Sequence, residues 1–428
     1  MSLPMYWLYS ALLALGLLVS LPYWLPQMLR HGKYRSGVME RLGRVPARLH
    51  IAEAKPTVWI HAVSVGEVLA VSRLVAEMRL RFPQDRIVVS TTTATGQKLA
   101  QDKFGAQNVF YFPLDFAFAI RPYLRALKPR LVVVAETEFW PNFLRLAKSS
   151  GAQIAVVNAR ISDRSWPRYR RWRPLLKRVL TQISLFLAQT EEDRKRLVDI
   201  GAPEENVQVS GNLKFDVTPP SPPPIVASLR AVFERKGAGP VIIAGSTMEG
   251  EEPLLLRAFE IVRGSHPGAV MILAPRHPQR FQPVADLVAS LNIPCWRRSL
   301  WGGEDLGGSV LLLDSIGELA AIYSLGQLAF IGGSLVEHGG HNILEPAQYG
   351  VPIVVGSHYE NFRDIVNLFR AADAVRIVGP AELPLVFAEL LADESERTAL
   401  GQRALETVCL QMGATRRTLD ALEKLQSQ

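Results

Sequence analysis

Glycines and polar side chains crowd together in residues 331–352, IGGSLVEHGGHNILEPAQYGVP. The pattern predicts a strand, a glycine-rich turn and a helix that starts near Asn342. Such a junction lets a phosphate approach the backbone and aims N–H groups and the positive end of the helix dipole at it. Glu345, about one turn later, could accept hydrogen bonds from ribose hydroxyls. The stretch therefore indicates a nucleotide site, although an ordinary strand–glycine–helix packing turn looks similar.

Carboxylates follow two of the predicted strands. Glu67 comes after the apolar stretch 58–63, and Glu136 and Glu138 come directly after the stretch 131–135. Open α/β sheets place ligands at the carboxyl ends of their strands, so carboxylates there could do acid–base chemistry. Glu67 could equally be a helix-start charge stabilised by the dipole. The Glu136–Glu138 pair could bind hydroxyls or steady neighbouring arginines.

Motifs along nearly the whole chain resemble those of the 3-deoxy-D-manno-octulosonic acid (Kdo) transferases of Gram-negative bacteria, which act on lipid A precursors. One is the nucleotide-sugar motif EHGGHN-x-LEPA at residues 337–347. The others occur in the expected order: HAVSVGE at 61–67, ETEFWPN at 136–142, VNARIS at 157–162, GNLKFD at 211–216, GSTMEGEE at 245–252 and APRHPQR at 274–280.

The resemblance implies that Kdo is transferred from CMP-Kdo to a lipid A precursor (lipid IVA) in lipopolysaccharide core biosynthesis, with inversion and without a cofactor. Glu67 would be the general base that deprotonates the acceptor hydroxyl. Glu136, Arg160 and Ser162 would bind the acceptor, and Glu136 could instead support Glu67. The implied donor-binding residues are Ser246, Thr247, Arg276, His277, Gly333, Ser334, Gly339, Asn342 and Glu345.

Positive charge and oriented N–H donors would stabilise the departing CMP phosphate in place of a metal ion. The sequence contains no acidic DxD motif in a strand-end loop, so we predict no metal ligand. His338 and His341 could contact the phosphate or simply hold the glycine loop. Glu249, Glu251 and Glu252 are expected to cap and solvate a helix start, and the family resemblance keeps them as second-rank candidates for the donor site.

Apolar runs alternate with amphipathic stretches in both halves of the chain, as in parallel sheets covered by helices. The segment TPPSPPP predicts a stiff connector between the halves. Together with the resemblance, this pattern predicts an α/β fold of the GT-B class: two Rossmann-like domains facing a cleft, with an N-terminal membrane-anchoring helix. A two-domain dehydrogenase is disfavoured, because neither half opens with a GxGxxG fingerprint. The predicted segments are a membrane anchor at 1–35, an acceptor-binding domain at 36–217, a linker at 218–224, a CMP-Kdo-binding domain at 225–395 and a helix at 396–428 that packs back.

The composition limits the class of protein. A chain of 428 residues fits two domains, and its formal charge of +8 suggests an anionic partner. Only two cysteines occur, Cys295 and Cys409, without the spacing of a zinc site. We therefore expect neither a disulfide framework nor a structural metal, and a reducing compartment for the catalytic part.

The N-terminus predicts membrane association. Residues 5–29 carry no charge and hold aromatic residues near both ends, and the run exceeds the ~20 residues that a bilayer span requires. The positive-inside rule places the basic flank that follows, and the catalytic domains, on the cytoplasmic side of the inner membrane. The sequence leaves open whether the run spans the membrane, lies in its interface or is a buried core helix. The flank contains Arg30, Lys33, Arg35, Arg41 and Arg44.

Residues 160–178 mix many basic residues with Trp166, Tyr169 and Trp172. Such a segment could bind nucleic acid or an anionic membrane. The apolar N-terminus favours the membrane, and we predict no nucleic-acid partner. The alternative functions are a lipid A disaccharide synthase or UDP-sugar epimerase, which would prefer uridine nucleotides, and a noncatalytic membrane protein without turnover.

Overall fold

The structure, a computed structural model, describes residues 3–31, 37–50, 55–163, 165–216 and 221–427. It divides into two compact units. The first comprises Met1–Asp216 together with Met412–Gln428, and the second comprises Val217–Gln411. Residues 218–220 of the predicted linker lie outside the described residues, as do residues 32–36, 51–54, Arg164 and Val217.

The first unit is built on a seven-stranded parallel sheet in the order β3-β2-β1-β4-β5-β6-β7. β1 is central, and Ile60 pairs with Val89 of β2 on one side and with Val133 of β4 on the other. The strand interiors are buried, which explains their nearly continuous runs of apolar residues. The strands are β1 Thr57–His61, β2 Arg86–Thr91, β3 Val109–Tyr111, β4 Pro129–Ala135, β5 Gln153–Ala159, β6 Leu185–Ala188 and β7 Val207–Val209.

Helices cover both faces of this sheet, and side-chain caps define where several of them begin. Ser64, Thr93 and Thr190 each accept a hydrogen bond from a backbone N–H in the first turn of the following helix. The helices preceding the second unit are α1 Leu3–His31, α2 Val38–Arg41, α3 Val65–Arg81, α4 Ala94–Phe104, α5 Ala117–Leu127, α6 Pro141–Ser149, α7 Trp166–Arg171, α8 Arg173–Leu180 and α9 Glu191–Asp199.

The second unit contains a second seven-stranded parallel sheet, in the order β10-β11-β9-β8-β12-β13-β14. Its strands are β8 Val241–Thr247, β9 Val270–Pro275, β10 Cys295–Arg297, β11 Val310–Leu312, β12 Leu328–Ile331, β13 Ile353–Val355 and β14 Arg376–Ile377. Its helices are α10 Pro224–Lys236, α11 Glu252–Ser265, α12 Phe281–Ser290, α13 Leu319–Ile322, α14 Leu344–Ala347, α15 Arg363–Ala371, α16 Leu383–Ala392 and α17 Glu394–Gln411.

The chain returns to the first unit through its last helix, α18 Ala414–Gln426. The Asp216 carboxylate accepts hydrogen bonds from the N–H groups of Gly413, at 2.6 Å, and of Thr415. This carboxylate caps the start of α18. The returning segment therefore begins at Met412, later than the predicted residue 396, because α17 belongs to the second unit.

The described residues contain one helix that is long and apolar enough to cross a membrane, over Met5–Tyr23 of α1. Its mean hydropathy is 1.6, and little of it is buried within the protein. The alternative of a buried core helix therefore does not fit α1.

Candidate active site

Glu67 lies at the start of α3, immediately beyond the carboxyl end of central strand β1. The helix begins at Val65, so Glu67 falls within its first turn. One carboxylate oxygen accepts the Val63 N–H at 2.7 Å, and the other accepts the Ser64 hydroxyl at 3.1 Å. These contacts fix the carboxylate at the edge of the sheet where parallel α/β folds bind ligands.

The environment of Glu67 changes its acidity. Its side chain is buried, and burial raises the pKa of Glu67 to about 7. The negative charges of Glu136 and Glu138 raise this pKa further, while the Val63 N–H and Ser64 hydroxyl oppose the rise. A carboxylate with a pKa near 7 can exchange a proton with a substrate at neutral pH.

Glu136 and Glu138 follow β4, the strand next to β1, so the sheet brings all three carboxylates to one edge. Glu136 has a φ of 57°, a left-handed conformation that is uncommon outside glycine. Lys214 Nζ lies 3.5 Å from Glu136 Oε1. Lys214 was not among the predicted site residues, although it lies within the GNLKFD motif. Among the described residues, the carboxylate cluster therefore has the Lys214 cation beside it.

The two other predicted acceptor residues lie beyond the end of β5. Ser162 accepts the Ser165 N–H at 3.2 Å and bonds the Ser165 hydroxyl at 3.0 Å, so its hydroxyl organises the turn before α7. Arg160 lies near buried Asp193. Burial raises the pKa of Asp193, and the charge of Arg160 opposes that rise. An acceptor role for Arg160 and Ser162 stays a prediction.

In the second unit, Ser246 and Thr247 lie at the carboxyl end of β8. Ser246 has a φ of 57°, another left-handed non-glycine residue at a strand end. The Thr247 hydroxyl is buried and donates to Glu252 Oε1 at 3.1 Å. The Thr247 carbonyl accepts the Arg276 N–H at 3.0 Å, which ties the end of β9 to that of β8. Thr247 therefore holds the carboxyl ends of β8 and β9 together. The Ser246 side chain, in contrast, is partly exposed.

The glycine-rich turn after β12 contradicts one expectation. The N–H groups of Gly333, Ser334 and Leu335 all donate to the Glu251 carboxylate, at 2.7, 2.9 and 2.9 Å. Met248 N–H donates to the same carboxylate at 2.8 Å. The backbone N–H groups that were expected to bind a phosphate are therefore bonded to a carboxylate of the protein itself.

Two corrections follow from this contact. The N–H groups of Gly333 and Ser334 stabilise the turn by bonding to Glu251. The Ser334 hydroxyl donates to the Ile331 carbonyl and accepts the Gly356 N–H at 2.8 Å. Glu251 is fully buried and does not solvate a helix start. Glu251 lies within the GSTMEGEE motif, 82 residues before Gly333, and no local pattern in the sequence indicates this turn as its partner.

Positive and neutral polar groups meet around His341. Burial lowers the pKa of His341 to about 4, and the charges of Arg276, His277 and His338 lower it further. Its Nε2 is buried and has no hydrogen-bond partner among the described residues. His341 is therefore a neutral imidazole with one nitrogen available to a ligand, next to the exposed Arg276 and His277.

Asn342 and Glu345 lie beside this cluster. Asn342 Nδ2 donates to Glu345 Oε1 at 3.4 Å, and Asn342 Oδ1 accepts the Leu344 N–H at 3.2 Å. Burial raises the pKa of Glu345, while Asn342 and Arg276 oppose the rise. The helix that was expected to start near Asn342 is only α14, which is too short to supply much of a dipole. Side chains, rather than the helix terminus, provide the polar groups here.

Gly339 has a φ of 82°, and its carbonyl accepts the Asn361 N–H at 2.9 Å. A side chain would be strained in this conformation. Gly339 therefore shapes the loop, and contact with a donor stays a prediction. In the part of the chain that the structure describes, no group of three His, Cys, Asp or Glu side chains could hold a metal ion.

The fold and these strand-end clusters define a class of protein. A solved UDP-GlcNAc 2-epimerase from Neisseria meningitidis bound to UDP-GlcNAc has the same fold, with a TM-score of 0.54 at 14% identity over 86% of this chain and 100% of that chain. The GT-B class with two Rossmann-like domains is thereby confirmed. At this identity the similarity shows the fold alone.

Sequence comparisons identify the family. Residues 36–217 match the family model described as 3-Deoxy-D-manno-octulosonic-acid transferase (kdotransferase). The 3-deoxy-D-manno-octulosonic acid transferase of Haemophilus influenzae is 35% identical over 86% of this chain and 86% of its own length. That of Bordetella pertussis is 36% identical over 96% of this chain and 97% of its own length. The chain belongs to the Kdo transferase family and is a glycosyltransferase, so the resemblance is confirmed and the noncatalytic alternative is wrong.

Proposed function

We propose that this enzyme transfers Kdo from CMP-Kdo to lipid IVA, a lipid A precursor, with inversion at the anomeric carbon and Glu67 as general base. The observation that carries this proposal is the Glu67 carboxylate: it is buried beyond the central strand and has a pKa of about 7. A base of this strength is half deprotonated near neutral pH, where general base catalysis is most effective.

The reaction is a single displacement. Glu67 takes the proton from an acceptor hydroxyl as its oxygen forms a bond to the anomeric carbon of Kdo. The bond from that carbon to the CMP phosphate oxygen breaks on the opposite face, and its electron pair leaves with CMP. The resulting glycoside therefore has the opposite anomeric configuration.

The donor side of the proposal rests on the His341 cluster. Arg276 supplies positive charge for the phosphate, the exposed His277 lies beside it, and neutral His341 offers its unpartnered Nε2. Asn342 and Glu345 offer hydrogen bonds for ribose hydroxyls. We assign Ser246 and Gly339 to positioning the donor and retain Glu136, Arg160 and Ser162 as acceptor contacts. Metal independence belongs to the same proposal.

The membrane part of the proposal places the enzyme at the cytoplasmic side of the inner membrane through α1. The exposed apolar surface of α1 and the basic residues of α7 and α8 support it. At this membrane surface the enzyme would meet an acylated acceptor.

A transfer assay tests the proposal. The purified enzyme is incubated with CMP-Kdo, a tetra-acylated lipid A precursor and a chelator, and the product is resolved by mass. We expect an added Kdo with the chelator present, and inhibition by CMP that is stronger than inhibition by UMP. Transfer only after a divalent ion is added would contradict metal independence, and an unmodified precursor with an active donor would contradict the acceptor.

A further inference from the structure

The first turns of α1 are attached to the first unit. The Arg145 guanidinium lies over the Tyr6 ring, 4.5 Å from its centre. Asn142 Nδ2 donates to Ser10 Oγ at 3.0 Å. Both partners belong to α6, so the N-terminal end of α1 is held against that helix. The Tyr6 side chain is buried there, with 5% of its surface exposed.

The other end of α1 also leads back to the first unit. Gly37 packs so closely on the Tyr111 ring that a Cβ atom would lie 1.9 Å from it. The chain between His31 and Gly37 can span only ~21 Å even when fully extended. From Ser10 to His31, α1 extends for ~32 Å. A helix that ran from Ser10 straight across a hydrocarbon core ~30 Å thick would carry His31 beyond that reach.

We propose that α1 lies in the plane of the membrane surface, alongside the first unit, with its N-terminus on the same side as the catalytic units. This inference rests on the proposed membrane association and specifies its geometry. Bilayer lipid is the partner, because α1 carries exposed apolar side chains and adjoins the basic helix α8, where Arg178 Nη1 lies 3.9 Å from Met5 Sδ. These exposed side chains are Trp7, Leu8, Leu12, Leu15, Leu18, Val19 and Tyr23.

Cysteine labelling tests the orientation. Native Cys409 is exposed and reports the side of the second unit. One protein keeps Cys409 and carries C295S, and the other carries S2C with C295S and C409S. Sealed right-side-out vesicles are treated with a membrane-impermeant maleimide before and after detergent is added. We expect both cysteines to react only after detergent.

Reaction of the S2C cysteine in intact vesicles, with Cys409 protected, would overturn the in-plane orientation while leaving membrane association intact. Flotation of the same vesicles tests membrane association separately from the orientation of α1. A protein that does not float with lipid would remove membrane association and, with it, this proposal.

A second observation concerns a depression next to the docked end of α1. It has a volume of about 330 Å³ and lies between α5 and α6. The charge of Arg145 acts on the buried Asp115 carboxylate, but the buried Nε of Arg145 has no hydrogen-bond partner among the described residues. Arg121 and Arg125 are one turn apart, so their like charges repel unless an anion is bound. The lining residues are Arg121, Leu124, Arg125, Arg145, Leu146, Ser149 and Ser150.

The geometry points to a binding site for a lipid-linked phosphate, because planar guanidinium groups match phosphate oxygens in pairs. The phosphate could belong to an anionic phospholipid or to the acceptor. The test variant is R121Q/R125Q. Its control is R257Q/R416Q, which removes the same charge from exposed arginines outside the depression.

Two measurements distinguish the sources of the phosphate. Binding to phosphatidylglycerol vesicles should fall on the order of 30-fold for R121Q/R125Q if the ligand is a phospholipid, with the control unchanged. If the ligand is the acceptor, its KM in detergent should rise at least tenfold while vesicle binding stays the same. Test and control variants that match in both measurements would overturn the site.

Discussion

Ser64 and Glu67 bond to each other in both directions at the start of α3. The Ser64 hydroxyl donates to Glu67 Oε1 at 3.1 Å, and the Glu67 N–H donates to Ser64 Oγ at 3.4 Å. The contact resembles a capping box, except that the Glu67 carboxylate accepts the N–H of Val63, one residue before the N-cap Ser64, and it stabilises the first turn of the helix. The glutamate that we propose as the base is therefore also the residue that organises its own helix start, and the two roles are compatible.

The raised pKa of Glu67 predicts the pH dependence of the reaction. A general base acts when deprotonated, so its active fraction increases as the pH rises through about 7. We expect kcat/KM to rise about tenfold per pH unit well below pH 7 and to level off above it. Initial rates with CMP-Kdo between pH 5 and 9 measure this profile. A rate that does not change across this range would show that Glu67 is not the limiting base.

The charge of Glu136 should shift the midpoint of this pH profile, which is the pH at which kcat/KM reaches half of its plateau. Its negative charge raises the pKa of Glu67, so Glu136→Gln should move the midpoint to lower pH. Lys214 lies beside Glu136, and Lys214→Met should move the midpoint in the opposite direction. Glu77→Gln is a matched control, because Glu77 lies on the same helix as Glu67 and pairs with Arg73 instead. Identical midpoints in all four proteins would contradict the electrostatic coupling.

Glu251 should be essential to the stability of the second unit. Glu251→Ala leaves four backbone N–H groups without their buried acceptor, and we expect a loss of about 3 kcal/mol or more. The control is Glu249→Ala, because the Glu249 side chain is 83% exposed. That change should alter stability by no more than about 0.5 kcal/mol. Urea unfolding measures both, and equal stabilities would contradict the buried contact.

Gly332 lets two strand ends approach each other. A Cβ atom at Gly332 would lie 2.4 Å from the Ser246 carbonyl oxygen, so Gly332→Ala should destabilise the protein by about 3 kcal/mol. Gly264→Ala is the control: Gly264 lies in α11 and a Cβ there would meet nothing within 4 Å. That variant should be stabilised by about 0.5–1 kcal/mol. Thermal unfolding compares the two, and a tolerated Gly332→Ala would contradict the close approach.

The fold could be predicted largely from the sequence, because buried parallel strands need long apolar runs and the turns between them need glycine or capping residues. The stretch that became β4 and the residues around Glu67 illustrate this. The alternation of strands and helices predicts a parallel sheet, whose strands all end at the same edge, so Glu67 and Glu136 could be expected at one sheet edge.

The partners of individual polar groups could not be predicted. Nothing local in the sequence shows that Glu251 would fill the turn at Gly333 and Ser334, since the two segments are far apart in the chain. The same holds for Lys214 and Glu136. Such contacts depend on tertiary packing, and a glycine-rich turn looks the same in sequence whether its N–H groups bind a phosphate or a carboxylate.

The most direct test of the proposed mechanism compares Kdo transfer by the wild type and Glu67→Gln. Glutamine keeps the size of the side chain and can still accept the Val63 N–H, but it cannot take a proton. We predict that the variant binds CMP with unchanged affinity, unfolds cooperatively and transfers Kdo at least 100-fold more slowly. Transfer at the wild-type rate by a folded Glu67→Gln protein would contradict the role of Glu67 as the base.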